Sequence, residues 1–544
     1  MLSLIKLIRM NKTKENYMRE ILIGLIFALT FTPVNAEEAF TNTIEYLQHA
    51  DTNDATYPEI PQDPGIDKST ELIKYSPRYN KYINNAYGYE IIIPNNLMLN
   101  EDIVSVKSRF ESDDLVVEVF YDNFYNTINS HSTHRNYCNR GILKNPEFKI
   151  KDEYNHSIGG LSGHVTLFER RKVKTNEPDR NYYATITFVK NTYESITVFI
   201  KSAAPINIDD IMPEFKFSAK TETLKNDKVF HPEPKNFDEK TRDFYDKYFI
   251  NNEKTAFGIF EPTFPLYAYR LLQIEKMLDY NFPVALLYNN FSLPFKTDYM
   301  NKAKELGKVV EYGLYTTDII NGKEKDITLD ILEGKYDDYL DDLAQSFNEY
   351  DYPVLFRLNN EMNGEWVLYC SHKVGKDTDL FIDCWKYIYD KFEELGVDNL
   401  IWVWNPNEKS FPDFSYNNYL CYYPGNKYVD IVGLTSYNTG NYYKGETWRS
   451  FSEAYDHFYF DYIDRFTHPM MITEFSCASA GGDKAQWFED MFNTIGKYDR
   501  IKLAVLWNGQ DYDPTKEEKT VSRNYRIDLE ESVINAVRNG LKSY

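Results

Sequence analysis

From about residue 250 onward, short apolar runs alternate with longer stretches in which apolar residues recur every three to four positions. "TAFGIFEP" is followed by "YRLLQIEKMLDY", and "PVALLYNN" by "MNKAKELG". "PVLFRLNNEM" is followed by "FIDCWKYIYDKFEELG". A continuous apolar run of strand length reads as a strand buried on both faces, and the intervening period reads as helix. Eight such strands start near residues 255, 283, 308, 353, 400, 429, 469 and 501, each with helical sequence after it, including a helix over 451–465. Alternating strands and helices imply parallel βαβ units. Eight of them point to an α/β fold, a (β/α)8 TIM barrel. A doubly wound open sheet is the alternative, weakened because no Gly-rich phosphate loop follows any strand.

The first half of the chain has another rhythm. In "GYEIIIPNNLML", "DLVVEVFYDNF", "ATITFVKN" and "SITVFIKSA" apolar and polar residues alternate between turn signals, as in an antiparallel sheet. With a helix or two from the stretches between, residues 76–225 read as a small α+β accessory domain. Glycan binding, cell-surface attachment and simple spacing are all open for it. Residues 37–75 are polar and proline-punctuated, hence linker, and a break at 231–242, "HPEPKNFDEKTR", leads into the barrel domain, 226–544. Residues 1–36 resemble a secretory signal: basic residues, an apolar core over 21–32, and Ala36 at the cleavage point. Met10 and Met18 are alternative starts. The apolar run is too short to span a bilayer comfortably, so no membrane span is expected after cleavage, and the product is secreted or held at the cell envelope.

Composition narrows the partners. A net charge of −22 excludes attraction to nucleic acid or anionic lipid and leaves neutral ligands unaffected. The 46 tyrosines and 35 phenylalanines suit a sugar-binding cleft, although compositional bias accounts for them equally well. Five cysteines include no CxxC pair. Cys370 and Cys384 could bond, with free buried thiols as the alternative. "HSTHRNYC" places His131, His134 and Cys138 close together, but with no fourth ligand they read as surface residues, and no metal or other cofactor is expected.

Chemistry concentrates in "PVLFRLNNEMNGEWVLY", where an apolar strand ends in Arg357, Asn359, Asn360, Glu361 and Asn363. Ligands bind at the carboxyl ends of parallel strands. Glu474 in "HPMMITEFS" ends the seventh strand in the same way. By period 2, Arg357, Asn359 and Glu361 share one face, as do Met470, Ile472 and Glu474, which predicts apolar residues below and a carboxylate at the barrel rim. Two carboxylates across a barrel mouth are what cleavage of a glycosidic bond requires, one protonated and one ionised, with Arg357 keeping its neighbour ionised.

"PVLFRLNNEMNGEW", "NLIWVWNPN", "YYPGNKYVDIVGLTSYN", "PMMITEFS" and "IKLAVLWN" resemble, in order, the signatures of glycoside hydrolase family 26, over about residues 250–535. The resemblance implies a clan A retaining β-glycanase, β-mannanase-like, with some members acting on β-glucans or β-xylans. By motif, Glu361 matches the acid/base and Glu474 the nucleophile. Arg357, Trp366, Trp404, Tyr437 and Trp507 match family positions, and these with Asn360 are the expected substrate-binding residues. Two features depart from the family: Asn360 stands where His is usual, and "NGEWVLYCSHK" lacks the aromatic-rich continuation. An Asn-Glu pair resembles the wider clan, whose Asn binds the sugar 2-hydroxyl, so the departure bears on specificity for mannose. The expectation is a secreted endo-acting enzyme on a neutral β-linked polysaccharide, by double displacement. The alternative is a non-catalytic or self-polysaccharide-directed glycan-binding barrel of the envelope.

Overall fold

The computed structural model describes residues 67–125, 127, 129–174 and 177–544. The expected signal segment and most of the expected linker lie outside the described residues. The last part of that linker is not linker: Thr70–Lys74 is a strand paired antiparallel with Tyr79–Asn84. Its side chains are largely exposed, so main-chain pairing, which a hydrophobic pattern does not reveal, defines it.

Two antiparallel sheets precede the barrel. One runs in the order Thr70–Lys74, Tyr79–Asn84, Tyr89–Pro94, Phe215–Phe217. The other has seven strands, with Leu115–Asn123, Glu194–Ser202 and Tyr182–Val189 at its centre. Alternating Val117, Val119, Ile186, Val198 and Ile200 face Ile91, Ile93 and Phe215 in a common core. A helix, α1 (His131–Lys144), is capped by Ser130, whose side chain accepts the Thr133 N–H. Its His134 and Cys138 are buried, correcting the surface reading of "HSTHRNYC". His134 Nε2 lies 3.4 Å from Asp122 Oδ2 and 3.8 Å from Cys138 Sγ, so long-range packing and not local sequence decides this cluster.

The eight expected strands close into a parallel barrel: β1 (Ala256–Phe260), β2 (Val284–Asn290), β3 (Val309–Tyr315), β4 (Val354–Leu358), β5 (Leu400–Trp404), β6 (Ile431–Thr435), β7 (Met470–Phe475) and β8 (Ile501–Trp507). Closure rests on the β1–β8 ladder, Ala256 to Phe260 against Leu503 to Trp507, which disposes of the open sheet. Alternation divides each strand. Val284, Leu286, Leu355, Ile401, Val403, Ile431, Met471, Leu503 and Val505 fill the interior, and Phe244, Tyr245 and Phe249 pack beneath them. Val354, Phe356, Leu358, Trp402, Met470 and Ile472 face outward into the layer beneath the helices. One outer helix, α2 (Thr378–Glu394), buries Leu380, Phe381, Cys384, Trp385 and Ile388 in that layer. All five cysteines are free and buried. No helix among the described residues is long and apolar enough to cross a membrane.

Candidate active site

Strand β4 ends at Leu358, and the chain beyond it leaves extended geometry: Asn359 has φ 50° and Glu361 φ 52°. Asparagine tolerates the left-handed region, whereas glutamate there carries a strain of about 1–3 kcal/mol. Long-range bonds hold it in place. The Glu361 N–H donates to Asn405 O at 2.7 Å and the Asn359 N–H to Leu314 O at 2.8 Å. Asn359 Oδ1 accepts the Thr316 N–H at 2.8 Å. Asn359 therefore stitches β4 to β3 and is buried. The expected period-2 face shared by Arg357, Asn359 and Glu361 does not extend past Leu358.

The other carboxylate reaches the mouth by a different device. Met470 and Ile472 face the helices, so simple alternation would send Glu474 outward with them. Between Ile472 and Phe475 the register with β8 shifts, and Thr435 pairs with Glu474 while Leu434 pairs with Ile472. This irregularity re-aims Glu474 into the barrel, a common use of bulges beside functional sites. The expected face does not hold: Met471, not Met470 or Ile472, lies below Glu474 inside the barrel.

Arg357 lies between them, fully buried in the barrel interior. Its Nη1 donates to Glu474 Oε1 at 2.6 Å and to Asn405 Oδ1 at 3.1 Å. Its Nε lies 3.1 Å from Glu311 Oε1, a contact without hydrogen-bond alignment. A Cβ on Gly313 would stand 3.1 Å from the Tyr288 ring and 3.6 Å from Arg357 Nη2, so the absent side chain makes room for the guanidinium. Burial works against the Arg357 charge, but Glu311 and Glu474 hold it charged well above its usual range. Burial, aided by Glu474, pushes Glu311 up to about 8 despite Arg357, so near neutrality it holds a proton and leaves the guanidinium to Glu474. Glu311 was not expected: a lone polar residue in the apolar run "KVVEYGLYT" was the available signal.

Glu474 also accepts from the Tyr437 hydroxyl, 2.8 Å from Oε2. Glu361 meets only neutral donors: Asn407 Nδ2 at 2.7 Å from Oε1 and Trp366 Nε1 at 3.1 Å from Oε2. Burial, then the Glu474 charge, pushes Glu361 up to about 7, with Asn407 and Trp366 pulling in the opposite direction. Glu361 still keeps part of its surface open to the mouth.

The remaining expected residues divide. Trp507 is partly exposed at the mouth, its ring stacked on Phe260 at 5.2 Å and its Nε1 donating to Tyr288 Oη at 3.2 Å. Tyr437 and Tyr525 meet its edge at 6.2 and 5.6 Å. Asn360 is buried beside Glu361, and its backbone carbonyl accepts from the Tyr369 hydroxyl at 2.8 Å. Trp404 does not belong to the cleft. It is fully buried between barrel and helices, against Tyr423 and Phe466, and its indole N–H donates to Tyr422 O at 3.2 Å. Because Ile401 and Val403 point inward, Trp402 and Trp404 must point outward. Tyr288 and Asn407 complete the site without having been expected. Tyr288 looked like a strand tyrosine, although its ring centre lies 5.5 Å from the Arg357 guanidinium carbon.

Residues 305–523 match the family model described as Glycosyl hydrolase family 26. Endoglucanase H of Acetivibrio thermocellus is 31% identical over 185 residues, 33% of this chain and 20% of that protein. The mannan endo-1,4-beta-mannosidase of Bacillus subtilis (strain 168) is 30% identical over 210 residues, 36% of this chain and 52% of that protein. The catalytic domain of the Bacillus sp. JAMB-750 endo-beta-1,4-mannanase aligns at 17% identity with a TM-score of 0.44, covering 58% of this chain and 93% of that one. Over residues 305–523, most of the barrel of this chain, the sequence is thus similar to glycosyl hydrolase family 26.

Proposed function

We propose that the barrel is a retaining β-glycanase that cleaves β-mannan or a related β-glucan or β-xylan within the chain. The observation that carries this reading is the contrast between two glutamates at one mouth. Glu474 is bound by a guanidinium and a phenol, whereas Glu361 is raised to about 7 among neutral donors. Glycoside hydrolysis needs one carboxylate ionised and one carboxyl protonated. In the first step Glu474 attacks the anomeric carbon and forms a glycosyl ester, while the Glu361 proton passes to the departing oxygen. The ester is neutral, so Glu361 loses the like charge that helped hold its proton. It then takes a proton from water as that water attacks the same carbon, breaks the ester and restores the configuration. Arg357 and Tyr437 orient Glu474 throughout, and Trp507 offers an aromatic surface beside the reacting sugar.

The mannan arm draws on the named mannan endo-1,4-beta-mannosidase relative, and the glucan arm on the endoglucanase. Asn360 in place of the family's histidine keeps equatorial 2-hydroxyl sugars among the candidates. Export guided by residues 1–36 belongs to this proposal as well. The test is proton NMR of products from residues 37–544 on mannan, mixed-linkage β-glucan and xylan, with Glu361→Ala and Glu474→Ala beside them. Release of β-anomer first, abolished in both variants, is expected. An α-anomer first would overturn the retaining mechanism, and silence on all polymers with binding to one would favour the glycan-binding alternative.

A further inference from the structure

Both donors to Glu361 sit on loops. Trp366 belongs to the loop after β4, residues 359–377, and Asn407 to the loop after β5, residues 405–418. Asn363 couples the two: its Oδ1 accepts the Asn407 N–H at 2.8 Å and its carbonyl accepts the Phe411 N–H at 2.8 Å. Phe411 in turn packs on Trp366 at 5.3 Å.

The region before the barrel grips each loop separately. On the first loop, Tyr137 of α1 donates to Glu365, next to Trp366, and its ring lies 4.6 Å from that of His372. A Cβ on Gly141 would stand 1.8 Å from His372 O, so α1 approaches the loop as closely as only glycine permits. Asn145 Nδ2 donates to Lys373 O at 2.7 Å. At the far end of that loop, fully buried Lys201 lies 3.1 Å from Asp377 and 2.6 Å from Asp379. On the second loop, the Ser415 N–H donates to Asp122 Oδ1 at 2.8 Å and its hydroxyl to Tyr121 O at 2.6 Å.

We propose that residues 107–201 are a clamp for the acid/base: they fix the two loops that present Trp366 and Asn407, and thereby position Glu361. This rests on the acid/base reading of Glu361 given above. It replaces a detached glycan-binding or spacer role for this region with a positioning role in the barrel's own chemistry. Tyr137, Gly141 and Ser415 are positioning residues, since each acts through a loop and none touches Glu361.

The test uses the full chain labelled with 5-fluorotryptophan, in which seven tryptophans give resolvable fluorine signals. The Trp366 signal is assigned by its loss in Trp366→Phe and followed through a pH titration. The charged and titratable groups facing Glu361 are Glu474, Arg357, Tyr315, Tyr369 and Tyr437. Glu365, raised to about 7 chiefly by burial, neighbours Trp366 in sequence. Glu361→Gln therefore defines the part of the titration due to Glu361. In Tyr137→Phe and Ser415→Ala, loosened Trp366 and Asn407 bonds raise that part of the midpoint and admitted water lowers it. A net move of about half a unit or more in one direction or the other is expected, with broadening or splitting of the signal. The thermal midpoint should change little. Gly141→Val, which forces the helix off the loop, is expected to do the same more strongly. Unchanged midpoint and line width in folded Tyr137→Phe and Ser415→Ala would overturn the clamp. If those shifts occur but Glu361→Ala hydrolyses at full rate, the clamp stands and the acid/base reading falls.

Discussion

Glu361 and Glu474 are the same residue type at the ends of two strands of one barrel, yet their surroundings differ in kind. Glu474 is pulled into the barrel by a bulge and meets the Arg357 guanidinium, beside a Glu311 whose burial favours its neutral form. Glu361 stands at the rim on strained backbone and meets an indole and an amide. A buried carboxyl keeps its proton when its donors are neutral and a like charge is near, and loses it beside a cation. The division of labour proposed for the two glutamates therefore lies in their neighbours and not in the residues themselves.

Removing either glutamate is expected to have the largest effect. Glu474→Ala should lower kcat by about 10^4-fold or more on every substrate, because no covalent step remains. Glu361→Ala should cost about 10^2–10^4-fold on polymer. On a dinitrophenyl glycoside, whose departing group needs no proton, the first step should be much less affected, which steady-state and burst kinetics would check. Equal losses on both substrates would remove the distinction between the two sites. Next in size, Arg357→Met leaves Glu474 buried without its cation, and breaking such a pair costs about 3–5 kcal/mol. Denaturant unfolding should report that loss alongside a large fall in kcat.

A smaller effect sharpens the Glu361 side. Activity should fall as pH rises through about 7, where Glu361 loses its proton. Asn407 stabilises the charged form, so Asn407→Ala should move that alkaline limb of kcat/KM upward by about one unit. A downward move would mean that opening the site to water outweighs the lost bond. The smallest effect on rate belongs to Glu311→Gln, within about threefold, since the wild-type group is already neutral near pH 7. Its stability effect has a definite sign. Folding raises this pKa to about 8, so wild type loses stability progressively as pH rises from the unfolded-state value near 4.3 to about 8. Thermal melts of Glu311→Gln should lack that contribution, and its advantage over wild type should grow across the same window.

Particular residues show where local pattern sufficed and where it did not. "LIWVW" is a strand by its run of apolar residues, and so it is in the fold. Which of its tryptophans could reach a sugar depends on the face that looks into the barrel, and the register places Ile401 and Val403 there and Trp404 behind them. The spacing of Met470, Ile472 and Glu474 was misleading because a bulge adds a residue that period 2 cannot anticipate. Asn407 and Trp366 lay in quoted motifs, but their bonds to Glu361 join residues 46 and 5 positions apart, a pairing set by two loops and not by any repeat.

The sequence by itself determined the eight strands, their order and the placement of Arg357, Glu361 and Glu474 at strand ends, because burial on both faces leaves a local signature in residue type. What surrounds each glutamate, which tryptophan meets the cleft and what the first sheets grip were set only by tertiary packing. Desolvation and charge interaction act through space, and the groups responsible come from strands and loops far apart along the chain.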